Sequence, residues 1–259
     1  MVKGLYTAYT GMINEQNRMD IMTNNLANAS TVGYKKEGST SQSFDDVLTV
    51  KIKDQSVGMR NVQRLGVKNP GVKIGENYTD YSQGSFRIMG NTYDLALSGE
   101  GFFAIEFTNK AGETDTKYTR AGQFTLNKDG YLVTEEGDYV LDTQNRRIRL
   151  NTLIDSSITD DGTIYQNGQA VAKIQVTDFE DYDYLEKYGE TYYQPIQGAK
   201  TIAAKAQVKS GYLEMANVQI VSEMVNLISI TRAYESNQKV VQTIDDTLDV
   251  AVNQIGRVQ

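Results

Sequence analysis

The hydrophobic pattern changes period twice along the chain. Leu5, Met12, Met19 and Leu26 recur every seven residues, with Ala8, Met22 and Ala29 three places later and Glu15 interrupting that second row. The spacing predicts a helix with a narrow apolar stripe, the form a coiled-coil seam takes. Near the other end Ile220, Leu227, Tyr234, Val241, Leu248 and Ile255 keep the same spacing. Three places after each come Glu223, Ile230, Asn237, Ile244, Ala251 and Val258, most of them apolar. A repeat of seven sustained this long calls for a coiled coil. The helix should start near Asn217, a suitable N-cap, and run to about Ile255, a length of about 57 Å. Val221, Met224, Val225 and Ile228 widen its apolar face in the first turns, which predicts more than one neighbour. Apolar surface that one chain cannot cover marks an interface. The plainer reading is a two-helix hairpin closed within one monomer.

Between these ends the period falls to two. Tyr118 to Leu126 and Gly130 to Thr134 flank Asn127-Lys128-Asp129-Gly130, a strand, a turn and a strand with Asp-Gly as the turn signal. Asp161-Gly162 and Asn167-Gly168 bracket a short strand, Thr163 to Gln166. Ala170 to Thr177 alternates apolar and polar residues. Asp94 to Leu97, then Gly99-Glu100-Gly101, then Phe102 to Ile105 reads as strand, loop, strand. No helical stretch is available to cross over between parallel strands, so the sheet should be antiparallel. Residues 36–75 show no clean period and read as a loop and an extended arm.

The expected fold is α+β: N- and C-terminal helices pairing as a coiled coil, with an inserted antiparallel all-β body. The expected domains are a helical one (1–35 and 213–259), an arm or linker (36–75) and a β domain (76–212).

Composition narrows the chemistry. The 259 residues include no His and no Cys. That excludes His-based acid–base catalysis, Ser-His-Asp triads, thiolate nucleophiles, disulfides and Cys- or His-bound metals. The net charge of −7 argues against nucleic acid as a partner. No apolar run is long enough to span a bilayer. Met1 to Leu5 lacks the apolar core and small-residue cleavage site of a Sec signal.

Carboxylate chemistry finds no home either. Glu135 and Glu136, like Asp160 and Asp161, are adjacent and would point to opposite faces of a strand, so neither pair can flank one bond. Gly99-Glu100-Gly101 lacks the Lys-Ser/Thr and the helix of a phosphate loop. Asn127 to Gly130 lacks the remaining ligands of a calcium loop. Asp181, Asp183 and Glu186 with Tyr182 and Tyr184 suit a solvated loop or a subunit contact better than a sugar site. No cofactor is expected.

Several blocks resemble a known family. Thr23-Asn24-Asn25-Leu26-Ala27-Asn28 through Gly33-Tyr34-Lys35 is similar to the N-terminal signature of flagellar rod and hook proteins. Asp94, Gly101 and Phe102 fall in a stretch that resembles their central motif. Arg120 and Gly130 fall in the next block. Glu214, Asn217, Arg232, Tyr234 and Glu235 match the C-terminal block. The resemblance covers the whole chain in order, and fits a distal-rod protein better than its proximal-rod paralogue. One departure is Ala216, where the pattern usually has Ser.

The resemblance implies a structural subunit of the bacterial flagellar basal body, polymerising with itself into a hollow drive shaft. It also implies contacts with other axial proteins of rod and hook, and export across the inner membrane by the flagellar type III apparatus without a cleaved signal. No catalysis is implied. A hook-type axial protein, a coiled-coil adaptor outside the flagellum and a secreted β-rich enzyme or sugar-binding module are the alternatives.

Locally, Asn24, Asn25 and Asn28 suit a helix stop. Gly33 suits a sharp exit. Arg232 and Glu235 sit where charge could set helix register.

Overall fold

The computed structural model describes residues 2–52, 62–109 and 112–255. The chain divides into two compact units. One comprises Met1–Leu26, Glu37–Asp80 and Ile220–Gln259, the other Ala27–Lys36 and Tyr81–Gln219.

The first unit is built on two helices and a β arm. Helix α1 spans Val2–Ala27. Strands β1 (Glu37–Ser43), β2 (Val47–Ile52), β3 (Val62–Lys68) and β4 (Val72–Thr79) follow. Where a loop and an extended arm were expected, β1 pairs with β4 and β2 with β3. In β1 the side chains, such as Ser39, Thr40 and Ser41, are small and polar, so they carry no apolar alternation to read. Residues 53–61 lie outside the described part of this arm.

The second unit holds β5 (Phe86–Ile88), β6 (Leu95–Ser98), β7 (Phe102–Thr108), β8 (Thr114–Thr119), β9 (Phe124–Leu126), β10 (Leu132–Thr134), β11 (Tyr139–Val140) and β12 (Ser156–Ile158). It continues with β13 (Thr163–Gln166), β14 (Gln169–Lys173), β15 (Val176–Phe179), β16 (Leu185–Tyr188), β17 (Tyr192–Pro195), β18 (Thr201–Ala203), β19 (Gln207–Ser210) and β20 (Tyr212–Glu214). Helix α2, Ile220–Val250, returns the chain to the first unit and ends in a π-type turn at Ala251–Ile255. It begins three residues beyond Asn217, so that residue lies outside its first turn.

The described strand pairs are all antiparallel, as the lack of crossover helices required. The main sheet runs β16-β17-β8-β7-β11-β10-β9, with β15 also on β7 and β18 on β15. Two expected turns hold in detail. Leu126 faces Leu132 across a turn in which Asn127 Oδ1 accepts from the amides of Asp129 (3.0 Å) and Tyr131 (2.8 Å). Asn167 and Gly168 both take positive φ, 51° and 76°, and close the β13–β14 hairpin, the geometry that matches strand twist.

Two strand readings need correction. The run from Tyr118 breaks into β8 and β9, which take different partners. The alternation from Ala170 breaks into β14 and β15. Strands β6 and β7 form where expected, on either side of the Gly99–Gly101 loop: β6 takes β19, and β7 takes β8, β11 and β15.

Successive residues of a strand face opposite ways, and β7 buries both. Phe103 joins Leu95, Leu97, Phe124, Leu132 and Ile164 in one core. Phe102 joins Tyr118, Phe179 and Tyr193 in a second, against Tyr81 and Tyr182. The second is an aromatic cluster, with Phe102 edge-on to Tyr81 (5.9 Å) and Tyr182 (5.8 Å). No helix among the described residues is long and apolar enough to cross a membrane.

Candidate assembly site

The two helices meet through small and polar residues. A side-chain carbon built on Gly4 would lie 3.7 Å from Ile244 Cδ1, and one on Gly11 would lie 3.0 Å from Asn237 Nδ2. A step of seven forward along α1 thus matches a step of seven back along α2, so the helices run antiparallel. The same register places Arg18 opposite Ile230 and Asn25 opposite Glu223. Ile230, Asn25 and Glu223 are all buried.

Contact therefore runs along the second row of α2, the one broken by Glu223 and Asn237. The expected seam flanks it. Leu5, Met12, Met19 and Leu26 on α1 are half-buried, as are Leu227, Tyr234, Val241 and Leu248 on α2. Ile220 is exposed, and the side chain of Ile255 lies outside the described residues. Arg232 and Glu235 are exposed. Gly4 and Gly11 belong to neither apolar row of α1. The seven-residue gap between the two glycines was the signal for them. Gly11→Leu would force this contact apart, and overpacking of this kind costs about 1–3 kcal/mol. We expect earlier thermal loss of helical circular dichroism in this variant, with the β-rich transition unmoved.

An adjoining face of α1 holds the β arm. Asn14 Nδ2 donates to Ser41 Oγ at 3.0 Å. Asn25 donates to the Glu37 carbonyl (2.7 Å) and accepts from the Glu37 amide (2.9 Å). Asn25 was expected to stop the helix, and in place it acts as a clamp on the backbone of β1. Asn24, beside it, is exposed. Thr7 Oγ1 reaches the Pro70 carbonyl at 3.3 Å.

In the second unit the signature residues converge on a buried charge cluster. Glu214 is 0% exposed, Lys35 1% and Arg120 3%. Lys35 Nζ lies 2.7 Å from Glu214 Oε1, and Arg120 Nη1 lies 3.3 Å from Glu214 Oε2. The Gly84 amide also donates to Glu214 Oε1, and Lys35 donates to the Ser82 carbonyl. Arg120 stacks over Phe102 at 5.2 Å. Asn217 accepts from the Lys36 amide at 2.7 Å and donates to Ser82. The segment from Ala27 to Lys36 is thereby tied to the sheet. Asn28 adds a bond to Glu190, and the buried ring of Tyr34 lies under Lys187.

The remaining motif residues shape the backbone. The Asp94 carbonyl accepts from Gly211 at 2.8 Å, and burial pushes its carboxyl above the usual range while a bond from Asn91 opposes this. Gly101 and Gly130 take positive φ. Glu135 and Glu136 border a cavity of about 210 Å³ with Val32 and Tyr192. Asp181 accepts from the Asp183 amide in a short turn, and the Tyr182 hydroxyl donates to Asp178 at 2.8 Å. Burial first, and then Asp178, hold that phenol in its protonated form. Among the described residues no His, Cys, Asp or Glu cluster could hold a metal.

This organisation has counterparts. The family model for the flagellar basal body rod FlgEFG protein C-terminal region matches residues 209–255. That for the flagellar hook protein FlgE/F/G D1 domain matches 96–168, and that for the flagella basal body rod protein matches 5–35. The flagellar basal-body rod protein FlgG of Bacillus subtilis (strain 168) is 34% identical, over 98% of this chain and 99% of its own. The flagellar hook-basal body complex protein FlhO of the same organism is 30% identical over the whole of both chains. The flagellar basal-body rod protein FlgF of Caulobacter vibrioides is 31% identical, again over the whole of both. Signature ends, central domain and full-length similarity agree, and the chain belongs to the family of flagellar basal-body rod proteins, structural components of the flagellar basal body.

Proposed function

We propose that this chain polymerises helically through its terminal helices into the hollow drive shaft of the rod, in its distal rather than its proximal segment. The observation that carries this reading is the state of the helices. They pair antiparallel beside a heptad seam that is only half-buried, and they leave exposed apolar side chains: Tyr6, Tyr9 and Ile13 on α1, and Ile220, Val221, Met224, Val225 and Ile228 on α2. Burial of such stripes stabilises helices that are marginal alone. In this reading Leu5 to Leu26 and Ile220 to Ile255 form a coiled-coil assembly interface. The subunit reaches its site through the flagellar type III apparatus and meets other rod and hook proteins there. The distal position rests on the motif resemblance.

The test is Leu248→Asp, which places a charge in the half-buried seam. Full-length protein at high concentration should form tubes visible by electron microscopy. The variant should form none while keeping the β-rich thermal transition. Tubes from the variant would sink the coiled-coil interface. A tag in the Asn167-Gly168 turn, located by tomography of basal bodies, should lie in the rod segment next to the hook. A tag at the membrane end would overturn the distal assignment.

A further inference from the structure

Beside α1 the first unit carries an apolar groove of about 420 Å³. Its walls are Tyr6 of α1, Val47, Leu48 and Val50 of β2, and Pro70, with Lys68 as a charged residue among them. The bond from Thr7 to the Pro70 carbonyl fixes one wall to the helix. Tyr6, Val47 and Leu48 are each more than half exposed, so nothing among the described residues fills the groove.

The first turns of α2 present a matching ridge. Val221, Met224, Val225 and Ile228 are 77%, 47%, 60% and 52% exposed. Their spacing is i, i+3, i+4 and i+7, the spacing of an amphipathic helix anchored in a hydrophobic groove. The electrostatics permit the contact. Gly4 to Asn14 of α1 contains no charged residue. Val218 to Thr231 contains Glu223 alone, and that side chain points into the unit's interior. No charge on either helical face has to be stripped of water, which is the costly step in burying such a surface. The far end of α2 is different, with Asp245, Asp246 and Asp249 exposed.

We infer that the groove formed by Tyr6, Pro70 and β2 of one copy receives the α2 ridge, Val221 to Ile228, of a second copy of this chain. The inference rests on self-assembly through the helical unit and names the contact. Groove and ridge are different patches. The antiparallel register sets Tyr6 beside the C-terminal half of α2, about 25 Å along the helix from the ridge. A contact between them leaves a free groove on one copy and a free ridge on the other, so it propagates.

The chain has no native cysteine, which makes the contact directly testable. Full-length Leu48→Cys and Val225→Cys proteins, both altered at exposed positions, are mixed under assembling conditions and treated with a short bismaleimide. The control mixture replaces Val225→Cys with Ile88→Cys, exposed on β5. At least tenfold more covalent heterodimer in the first mixture is the expected result. Tubes without that excess would overturn the groove contact and leave helix-driven assembly standing. Neither tubes nor excess would overturn both. An excess confined to a closed two-chain species would keep the contact and remove the helical polymer.

Discussion

Replacing Glu214 with Ala is expected to lower the unfolding temperature of the β-rich unit by roughly 10 °C. Glu214 is a carboxylate bonded to both Lys35 and Arg120. Its loss takes a carboxylate away from two cations that are almost wholly buried. Removing one partner of a buried pair costs about 3–5 kcal/mol, because the remaining charge is left uncompensated. In a domain of this size each kcal/mol moves the midpoint by about 2–4 °C. Glu214→Gln keeps the shape of the side chain and should recover little, since the charge is what the cations require. Glu106→Gln is the matched control. Arg147, at 2.6 Å, holds the Glu106 carboxyl below its usual range, but that pair is partly in solvent. Exposed pairs contribute about 1 kcal/mol or less. Differential scanning calorimetry of the full chain reads all three. Equal midpoints for the Glu214 and Glu106 variants would remove the buried cluster from the account.

Gly33→Ala is expected to destabilise the same unit by about 3–5 kcal/mol, the sum of a left-handed backbone penalty and overpacking. Gly33 has φ of 71°, and a side-chain carbon there would sit 2.2 Å from the Ala121 amide nitrogen and 2.5 Å from the Arg120 carbonyl carbon. Both obstacles are backbone and cannot swing aside. Its own amide donates to the Glu214 carbonyl at 2.8 Å, so displacement also strains the charge cluster. Gly189 separates the two contributions. Its φ is 69°, yet a side-chain carbon meets nothing within 4 Å. Gly189→Ala should therefore cost only the backbone share, about 1–2 kcal/mol. Similar losses at both sites, read by denaturant titration, would mean that the close approach at Gly33 is relieved by relaxation.

What could be read from the sequence followed from local spacing. Heptads gave α1 and α2 because helix burial repeats within a few residues. Asp129-Gly130 and Asn167-Gly168 gave turns because their backbone demands are local. The charge cluster was not legible as a cluster, because Arg120 and Lys35 lie 94 and 179 residues from Glu214. Coulomb pairing leaves no periodic trace. Lys35, Arg120 and Glu214 stood in resembling motifs, but nothing joined them. Strand partners leave no local trace either: β6 and β7 are neighbours in sequence, and Gly99 and Gly101, both at positive φ, lie between strands that join different ladders. Asn237 and Glu223 looked like flaws in an apolar row. They lie in the contact itself, where a polar residue fixes alignment at some cost in stability.

The register that sets Gly4 beside Ile244 joins residues 240 positions apart in the sequence. The long loop between them must close before either helix is sheltered, and the entropy of that closure makes the step late. The β-rich unit, whose strands lie between, can order first. A chain cut before Asn237 would carry an intact β-rich unit and an α1 with no mate at Gly4 or Gly11. Pairing of the two helices is thus a late event, and a chain lacking the C-terminal half of α2 would leave the Gly4 and Gly11 face of α1 in solvent while its β-rich unit folds.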